Sequence, residues 1–322
     1  MRKPGFMFIA LWTLLNSCEQ QNAKYDSHDY LITEKDIIPE GVAFDANTGT
    51  IYVSSTYKRK IVAIKEDGTV EDFIKEGQDD IKSVIGMEVD PKTKSLWAVS
   101  SEAMEVLPLK NPGVHQWRSS VCQFSLSGGN LIKKYKLNKD SVFLNDLAVG
   151  PDGTVFITES VKNAVYRIIP GSDTLSLFIE PRPYTFINGI CFSDERGTMY
   201  VTSEQGIISI DIDSRIYKLL HSNSDNKALG IDGISFYKNS FIAHQSVAVS
   251  RFYLDENRDT ILKVDTLNTG KEFDGSTTGE VSSPHYYFIV NSQIQSGIDY
   301  AKKEIKLSDS LENIIVRKIK LD

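Results

Sequence analysis

Residues 188–203 read Asn-Gly-Ile-Cys-Phe-Ser-Asp-Glu-Arg-Gly-Thr-Met-Tyr-Val-Thr-Ser. A polar residue and a glycine begin this unit, and a short apolar strand, a turn and a second strand rich in β-branched and aromatic residues follow. The same unit recurs at a spacing of roughly 45 residues, with a longer interval in the second unit. It begins at Glu40-Gly41, Gly86-Met87, Asn145-Asp146, Asn188-Gly189, Asp232-Gly233 and near Gly279.

Six copies of this unit predict the fold class. Each copy has a second strand of matching character, at Ile51–Ser55, Leu96–Ser100, Val155–Glu159, Met199–Ser203, Phe241–Gln245 and Tyr287–Asn291. Turn signals such as Asp67-Gly68 follow and indicate an outer hairpin. A repeat of this length with four short strands is typical of a propeller blade. The sequence therefore predicts an all-β, six-bladed β-propeller with four-stranded blades.

The ends of the chain predict how the propeller closes. The last unit supplies a third strand at 313–320 and then the chain stops, so its blade lacks a fourth strand. The segment 30–33 lies just before the first blade and has strand character. We expect it to pair beside the C-terminal strand, because this pairing removes two exposed sheet edges at once. The predicted propeller domain is 30–322.

A leader precedes the domain. Arg2 and Lys3 are followed by an apolar run at 6–15 that is too short for a stable transmembrane anchor, and then by Cys18. Residues 15–18 resemble the bacterial lipobox, which implies a lipoprotein-type signal peptide at 1–17 and a lipidated Cys18. The alternative is an ordinary cleaved signal with an incidental cysteine. Residues 18–29 are polar and are interpreted as a flexible tether in the bacterial cell envelope.

Composition limits the partners of the chain. The formal net charge is −7, and loss of Arg2 and Lys3 with the leader makes it more negative. Nucleic acid is therefore not an expected partner, and the lipid is the only expected membrane attachment. Cys122 and Cys191 fall in different blades, so we interpret them as buried small residues and not as a disulfide.

Polar residues begin four of the units and predict a metal site. Equivalent positions converge on the axis of a propeller, so Glu40, Asn145, Asn188 and Asp232 should meet there. Oxygen ligands without sulfur or imidazole suit a hard cation, Ca²⁺ before Mg²⁺. Alone, each of the Asn-Gly and Asp-Gly pairs would indicate only a turn. Their common position in four repeats favours ligands.

The second strand of each blade returns to the same end, so its last residues should form a rim around the site. Carboxylates and amides dominate this rim, which favours a small polar or acyl substrate. Its predicted members are Ser54, Ser101, Glu102, Glu159, Glu204, His244, Gln245, Asn291 and Gln293. The chain has no Gly-x-Ser-x-Gly elbow, zinc-type His/Cys spacing or glycine-rich phosphate loop.

The four repeat openings resemble those of the regucalcin (senescence marker protein) and gluconolactonase family, which is related to the paraoxonases. The resemblance implies a divalent cation, commonly Ca²⁺, on the axis and hydrolysis of a lactone or ester. It implies that Glu40, Asn188 and Asp232 are direct ligands and that Asn145 binds directly or through water. It also makes Asp232 the candidate for activating water.

Two departures bear on mechanism. Gluconolactonase-like members have an arginine where this chain has Phe143, so a sugar acid is not the expected substrate. Paraoxonase-like members have a histidine near the end of the second strand of blade two, and residues 99–102 contain none. His244, in the analogous place of blade five, is a second candidate base; the alternative for it is a hydrogen-bonded rim residue.

Two hypotheses remain from the sequence. In the first, the cation polarises a carbonyl and a carboxylate activates water, which makes the chain a hydrolase of lactones or esters. In the second, the cation is structural and the rim binds a glycan, peptide or protein. The two differ in whether a small carbonyl compound reaches the cation or whether side chains such as Phe143 and Phe186 close the axis.

The leader generates a testable prediction. We expect the expressed chain to partition into the detergent phase and Cys18→Ala to release or mislocalise it, because the substitution removes the proposed lipid attachment. Phase separation followed by mass spectrometry of the mature N-terminus measures both. An unmodified mature chain that begins at another residue would contradict the lipoprotein hypothesis.

Overall fold

A computed structural model describes residues 27–102, 118–137, 142–195, 197–222 and 227–322. It contains six sheets of four or five strands, antiparallel except for one strand pair, and their innermost strands follow one another in a closed ring. The predicted all-β, six-bladed β-propeller is confirmed. The predicted signal peptide, Cys18 and most of the predicted tether lie outside the described residues.

The strands are numbered along the chain. The first strand, β1 (Ser27–Ile32), belongs to the last blade. Blade one comprises β2 (Val42–Asp45), β3 (Thr50–Ser55), β4 (Lys60–Ile64) and β5 (Val70–Ile74). Blade two comprises β6 (Ser83–Asp90), β7 (Ser95–Ser101), β8 (Ser119–Ser125) and β9 (Leu131–Lys136). Blade three comprises β10 (Leu144–Val149), β11 (Val155–Glu159), β12 (Ala164–Ile168) and β13 (Ser176–Ile179).

The second half repeats this plan with two additions. Blade four comprises β14 (Ile190–Phe192), β15 (Thr198–Ser203), β16 (Gly206–Asp211) and β17 (Tyr217–Leu219). Blade five comprises β18 (His221–Ser222), β19 (Ile234–Phe236), β20 (Ser240–His244), β21 (Ala248–Leu254) and β22 (Thr260–Thr269). Blade six comprises β23 (Gly279–Ser282), β24 (His285–Ile289), β27 (Ile314–Lys320) and β1, with a small hairpin of β25 (Ile298–Asp299) and β26 (Glu304–Ile305) inserted.

Among the described residues, the helical content is three short 3₁₀ segments at Lys35–Ile37, Gln78–Asp80 and Ser308–Ser310. Within the described ranges, no helix is long and apolar enough to cross a bilayer. The repeats did not predict two features. Strand β18 joins blade five as a fifth strand parallel to β22, and the β25–β26 hairpin interrupts blade six.

The core lies between neighbouring blades. Strands β3, β11 and β20 are buried along their whole length, because a blade packs against a neighbour on each face. Apolar clusters form at these contacts, and Phe44 of blade one stacks on Tyr287 of blade six at 4.4 Å between ring centroids. This packing explains why the second strand of each repeat is almost continuously apolar.

The predicted closure of the propeller is confirmed. Strand β1 pairs antiparallel with β27, from Ser27 opposite Ile319 to Ile32 opposite Ile314. The strand begins three residues earlier than expected, so the propeller includes residues that we had assigned to the tether. Asp29 is one of them, and its carboxylate pairs with the Arg317 guanidinium at 2.7 and 2.8 Å. This charge pair holds an edge strand whose sequence lacks clear apolar alternation.

Glycines let the inner strands meet backbone to backbone at the axis. A Cβ atom at Gly41 would lie 2.0 Å from the Ile85 carbonyl oxygen of the next blade. A Cβ atom at Gly189 would lie 2.4 Å from the Asp232 carbonyl oxygen, and the Gly189 amide donates to that same oxygen at 3.2 Å. Glycine is therefore required at these two positions, because a side chain at either one would separate the strands.

The axial contact generates a stability prediction. We expect Gly189→Ala to destabilise the fold by about 1–3 kcal/mol, because the new methyl group collides with a backbone oxygen that moves only with its blade. Thermal unfolding followed by circular dichroism measures the change. Gly197→Ala, in a turn of the same blade with no heavy atom within 4 Å of the added Cβ, is the matched control. Equal melting temperatures for the two variants would contradict the account.

Candidate functional site

The four predicted ligand residues meet in one cleft on the axis. Glu40, Asn145, Asn188 and Asp232 all line it, together with Asp146, Thr277, Thr278 and the backbone around Gly86 and Gly233. Each of the four lies just before or at the start of the innermost strand of its blade, so closure of the strand ring brings them together. The free volume of the cleft is about 10 Å³, which is close to the minimum that holds one water molecule. The cleft therefore has the size of a single small ion.

Hydroxyl groups at the ends of second strands fix the loops that carry the anchors. The Ser54 hydroxyl accepts hydrogen bonds from the backbone amides of Glu40 at 3.2 Å and Gly41 at 2.6 Å. The Ser160 hydroxyl accepts from the Asn145 side-chain amide at 3.0 Å and donates to the Ile187 carbonyl oxygen at 2.7 Å. These buried bonds hold the anchor side chains at the axis.

A hydrogen bond across the ring joins its first and last units. The Thr277 hydroxyl of blade six donates to the carbonyl oxygen of Glu40 in blade one at 2.8 Å. On the neighbouring side, the Asn188 amide nitrogen donates to Asp232 Oδ1 at 2.8 Å. The cleft is thus braced by bonds between blades, and its shape depends on closure of the whole propeller.

Crowding of carboxylates dominates the electrostatics of the cleft. Desolvation raises the pKa of Asp232 to about 6, against the opposing effect of the Asn188 hydrogen bond. Desolvation raises the pKa of Asp146 to about 7, although the amides of Leu147 and Ile190 donate to its carboxylate. Desolvation and the charges of Asp232 and Asp146 raise the pKa of Glu40 well above its usual range. The carboxyl groups therefore compete for protons in the absence of another positive charge.

The donor set fits a hard divalent cation. The structure does not place three or more His, Cys, Asp or Glu side chains of the described residues as a ready metal cluster. However, Glu40 Oε2 is buried without a hydrogen-bond partner among the described residues, and a proton or a cation would satisfy such an atom. The Asn145 amide nitrogen is directed to Ser160, which leaves its carbonyl oxygen as a ligand. A mixed set of carboxylate and amide oxygens is the chemistry that Ca²⁺ prefers.

Asp146 is a member of the site that the sequence pattern did not predict. It occupies the position at which blades one, four and five have glycine, and its carboxylate lines the cleft. Gly86 makes room for it, since a Cβ atom there would lie 2.4 Å from Asp146 Oδ1. The signal was visible in the sequence, because Asp146 is the only charged residue at this position of the repeat.

His244 is a core residue and does not line the cleft. One ring nitrogen lies 2.8 Å from the Ser276 hydroxyl and the other 2.7 Å from the Tyr286 hydroxyl. Desolvation lowers its pKa to about 3. The structure therefore argues against His244 as the base and agrees with the hydrogen-bonded alternative.

Two residues of the predicted rim have structural roles instead. Glu159 is fully buried, and its carboxylate accepts hydrogen bonds from the backbone amides of Phe143, Val161 and Lys162. Asn291 is also buried; it accepts from the Ile315 amide at 2.7 Å and donates to the Asn313 carbonyl oxygen at 2.9 Å. The structure therefore argues against Glu159 as a substrate-binding residue, whereas Asn291, 4% exposed, lines a cavity of about 740 Å³ beside blade six.

Three other predicted rim residues are accessible. Glu204 is exposed and accepts a hydrogen bond from the Thr185 hydroxyl at 2.8 Å. Gln245 is half-buried and donates to the Leu229 carbonyl oxygen at 3.0 Å. Glu102 is half-buried at the end of blade two. These three polar side chains remain available at the rim.

Neither Phe143 nor Phe186 lines the cleft. Phe143 packs half-buried against the apolar cluster between blades two and three. Phe186 is 47% exposed. Neither ring closes the axis. Cys122 and Cys191 are separate free thiols in different blades, as predicted.

A second cavity, of about 310 Å³, continues along the axis from the cleft. Asp146 and Thr278 line both spaces, so they lie where the cleft and the cavity adjoin. Residues farther along the inner strands form the rest of its wall, and they include the carboxylates of Glu88, Asp194 and Glu280 as well as Val149, Phe236 and Val281. The axis is therefore hollow on the side of the cleft away from the rim.

Comparisons with known proteins agree with this architecture. The family model SMP-30/gluconolactonase/LRE-like region matches residues 38–233. A gluconolactonase from Xanthomonas campestris is 15% identical, with a TM-score of 0.60 over 88% of this chain and 86% of that one. A calcium-binding regucalcin from Agrobacterium tumefaciens is 12% identical, with a TM-score of 0.62 over 92% and 96%.

A virginiamycin B lyase from Staphylococcus aureus is also similar, at 14% identity and a TM-score of 0.58 over 93% of this chain and 100% of that one. At these identities the similarity to solved structures shows the fold alone. Comparison with curated proteins gives no match.

The carboxylate cluster generates a prediction on pH. The raised pKa values of Asp146 and Asp232 mean that the folded, cation-free chain binds more protons than the unfolded chain, so these groups lower stability as the pH rises from about 4 to about 7. Ca²⁺ should replace those protons. We therefore expect Ca²⁺ to raise the melting temperature more at pH 8 than at pH 5.5.

Melting curves of chelator-treated protein with and without Ca²⁺ measure this effect at both pH values. Free Ca²⁺ at a thousandfold above its dissociation constant stabilises the fold by about 4 kcal/mol. Asp232→Ala should abolish most of the rise. An equal rise at the two pH values, or an unchanged curve in the wild type, would contradict the proposed ligand set.

Proposed function

The chain belongs to the SMP-30/gluconolactonase/LRE-like family, and we propose that it hydrolyses small lactones or esters with one divalent cation, Ca²⁺ in the first instance. The ion-sized cleft carries this proposal. It joins three carboxylates and two amides, and it contains the buried, unpartnered Glu40 Oε2. Such a cluster of perturbed carboxyl groups is typical of a functional site.

Glu40, Asn145, Asn188 and Asp232 would hold the cation. When bound, the cation supplies a Lewis acid that polarises a carbonyl group and stabilises the oxyanion. The Asn188 amide nitrogen donates a hydrogen bond to Asp232 Oδ1 and so orients the carboxylate. The other oxygen, Oδ2, is the proton acceptor that we propose for the attacking water.

The hydrolysis follows from these roles. The water oxygen bonds to the carbonyl carbon while Asp232 takes one proton from it. The bond from that carbon to the alkoxy oxygen then breaks, and the proton returns from Asp232 to the leaving alkoxide.

A second candidate function follows from the size of the cleft. A free volume of about 10 Å³ leaves little room for a carbonyl oxygen beside an ion. This observation favours a structural cation in a propeller that binds a glycan, peptide or protein at its rim. For either function we propose a lipid-anchored position in the bacterial cell envelope, supported by the sequence around Cys18.

The proposed mechanism gives Glu40 the role of a cation ligand and Asp232 that of the base, and this difference generates a prediction on hydrolysis. We expect Glu40→Gln to lose activity by weakening cation retention, so that excess Ca²⁺ partly restores it. We expect Asp232→Asn to lose about a hundredfold to ten-thousandfold in rate without restoration, because the base is absent. Hydrolysis of aryl esters and simple lactones over a Ca²⁺ series measures both.

Glu204→Gln is the matched control, since Glu204 is an exposed carboxylate outside the cleft. It should retain the wild-type rate. Wild-type rates in all three variants, or an inert wild-type protein with Ca²⁺ bound, would overturn the hydrolase in favour of the binding propeller.

A further inference from the structure

Exposed apolar side chains lie at the end of the propeller that carries the anchors. Phe186 and Leu229, 47% and 42% exposed, precede the inner strands of blades four and five. Val161 and Val247, also exposed, lie in the turns that join the second and third strands of blades three and five. All four positions fall where the chain turns at this end. The accessible surface around the cleft is therefore partly apolar.

Phe186 combines exposure with a strained backbone. Its φ angle is 52°, which is unfavourable for a bulky residue, and its amide donates to the Asn163 side-chain oxygen at 2.6 Å. About half of the residue is accessible to solvent. Strain of this kind is concentrated at functional sites.

The length of the chain places this surface beside the cleft. Phe186 is two residues before Asn188, and Leu229 is three residues before Asp232. A fully extended chain spans at most about 3.6 Å per residue, so their Cα atoms lie within about 7 Å and about 11 Å of the two cleft residues. A substituent several carbons long on a group bound at the cleft spans a distance of this size.

A cavity between blades four and five adjoins this surface. It has a volume of about 320 Å³; Leu229, Ile207, Leu219 and Ile261 form its apolar wall, and His221, Ser222 and Lys227 also line it. Gln205 lines it too and connects it to the Phe186 loop, because its side chain bonds the Thr185 amide and hydroxyl, each at 2.8 Å. The cavity with its apolar wall is therefore next to the Phe186 loop.

We propose that the substrate is a lactone or ester with an apolar substituent, such as an alkyl chain, which lies against Phe186 and Leu229 and extends into this cavity. The inference rests on the proposed function for the reacting group. It replaces the small polar substrate that the sequence favoured, because Glu159 and Asn291 are buried while Phe186 and Leu229 are exposed. Phe186 and Leu229 act as specificity-determining residues.

A chain-length series tests the proposal. For γ-lactones with side chains from methyl to octyl and Ca²⁺ present, wild-type kcat/KM should rise at least tenfold along the series. Phe186→Ala should lower kcat/KM for the octyl lactone about tenfold and leave the methyl lactone unchanged, because only the long chain reaches the ring. Leu229→Ala should act in the same direction.

Exposed apolar residues elsewhere give matched controls. Ile216, 71% exposed in the turn between β16 and β17 at the opposite end, and Leu262, 58% exposed on the outer strand β22, should tolerate alanine without effect on the series. Circular dichroism verifies the fold of each variant. A flat wild-type series, or a Phe186→Ala series that matches that of Ile216→Ala, would overturn the apolar subsite while leaving the hydrolase intact.

An unreactive ligand separates this inference from the proposed function. Binding of an octyl-substituted γ-lactam, measured by calorimetry, should weaken about tenfold in Phe186→Ala. If the wild type hydrolyses no lactone yet shows this binding pattern, the hydrolase fails and the apolar subsite stands. Absence of lactam binding to the wild type would overturn the subsite.

Discussion

The close approach of backbones at the axis is the constraint on which the rest of the structure depends. Gly41, Gly189 and Gly233 each face the backbone of the next blade at a distance that admits no side chain. Because the strands come this close, the residues that precede these glycines, Glu40, Asn188 and Asp232, are placed around the axis. The same contact that closes the propeller therefore builds the polar cleft.

That closeness has an electrostatic cost. Glu40, Asp146 and Asp232 are brought together with partial loss of solvent, and each pKa rises. Isolated buried carboxylates are unfavourable unless a partner compensates their charge. A divalent cation would supply that charge and satisfy Glu40 Oε2. Stability of the propeller and chemistry at its axis are in this way consequences of one arrangement.

The repeat allowed the fold and the centre of the site to be predicted from the sequence. Spacing and alternation indicated six blades and their closure by β1, and the shared position of Glu40, Asn145, Asn188 and Asp232 indicated convergence. The rim was less predictable, because the polarity of a side chain does not reveal whether its polar atoms hydrogen-bond to the protein itself or face solvent. Glu159 caps three amides and His244 bonds two hydroxyls, and only tertiary packing shows this.

A crystal structure of the protein soaked with Ca²⁺ or a lanthanide substitute tests the central claim most directly. The account predicts one anomalous difference peak on the propeller axis, within coordination distance of Glu40 and Asp232 oxygens and at least one of the Asn145 and Asn188 amide oxygens. No peak at the axis under saturating metal, or a peak held only by surface carboxylates, would contradict the account.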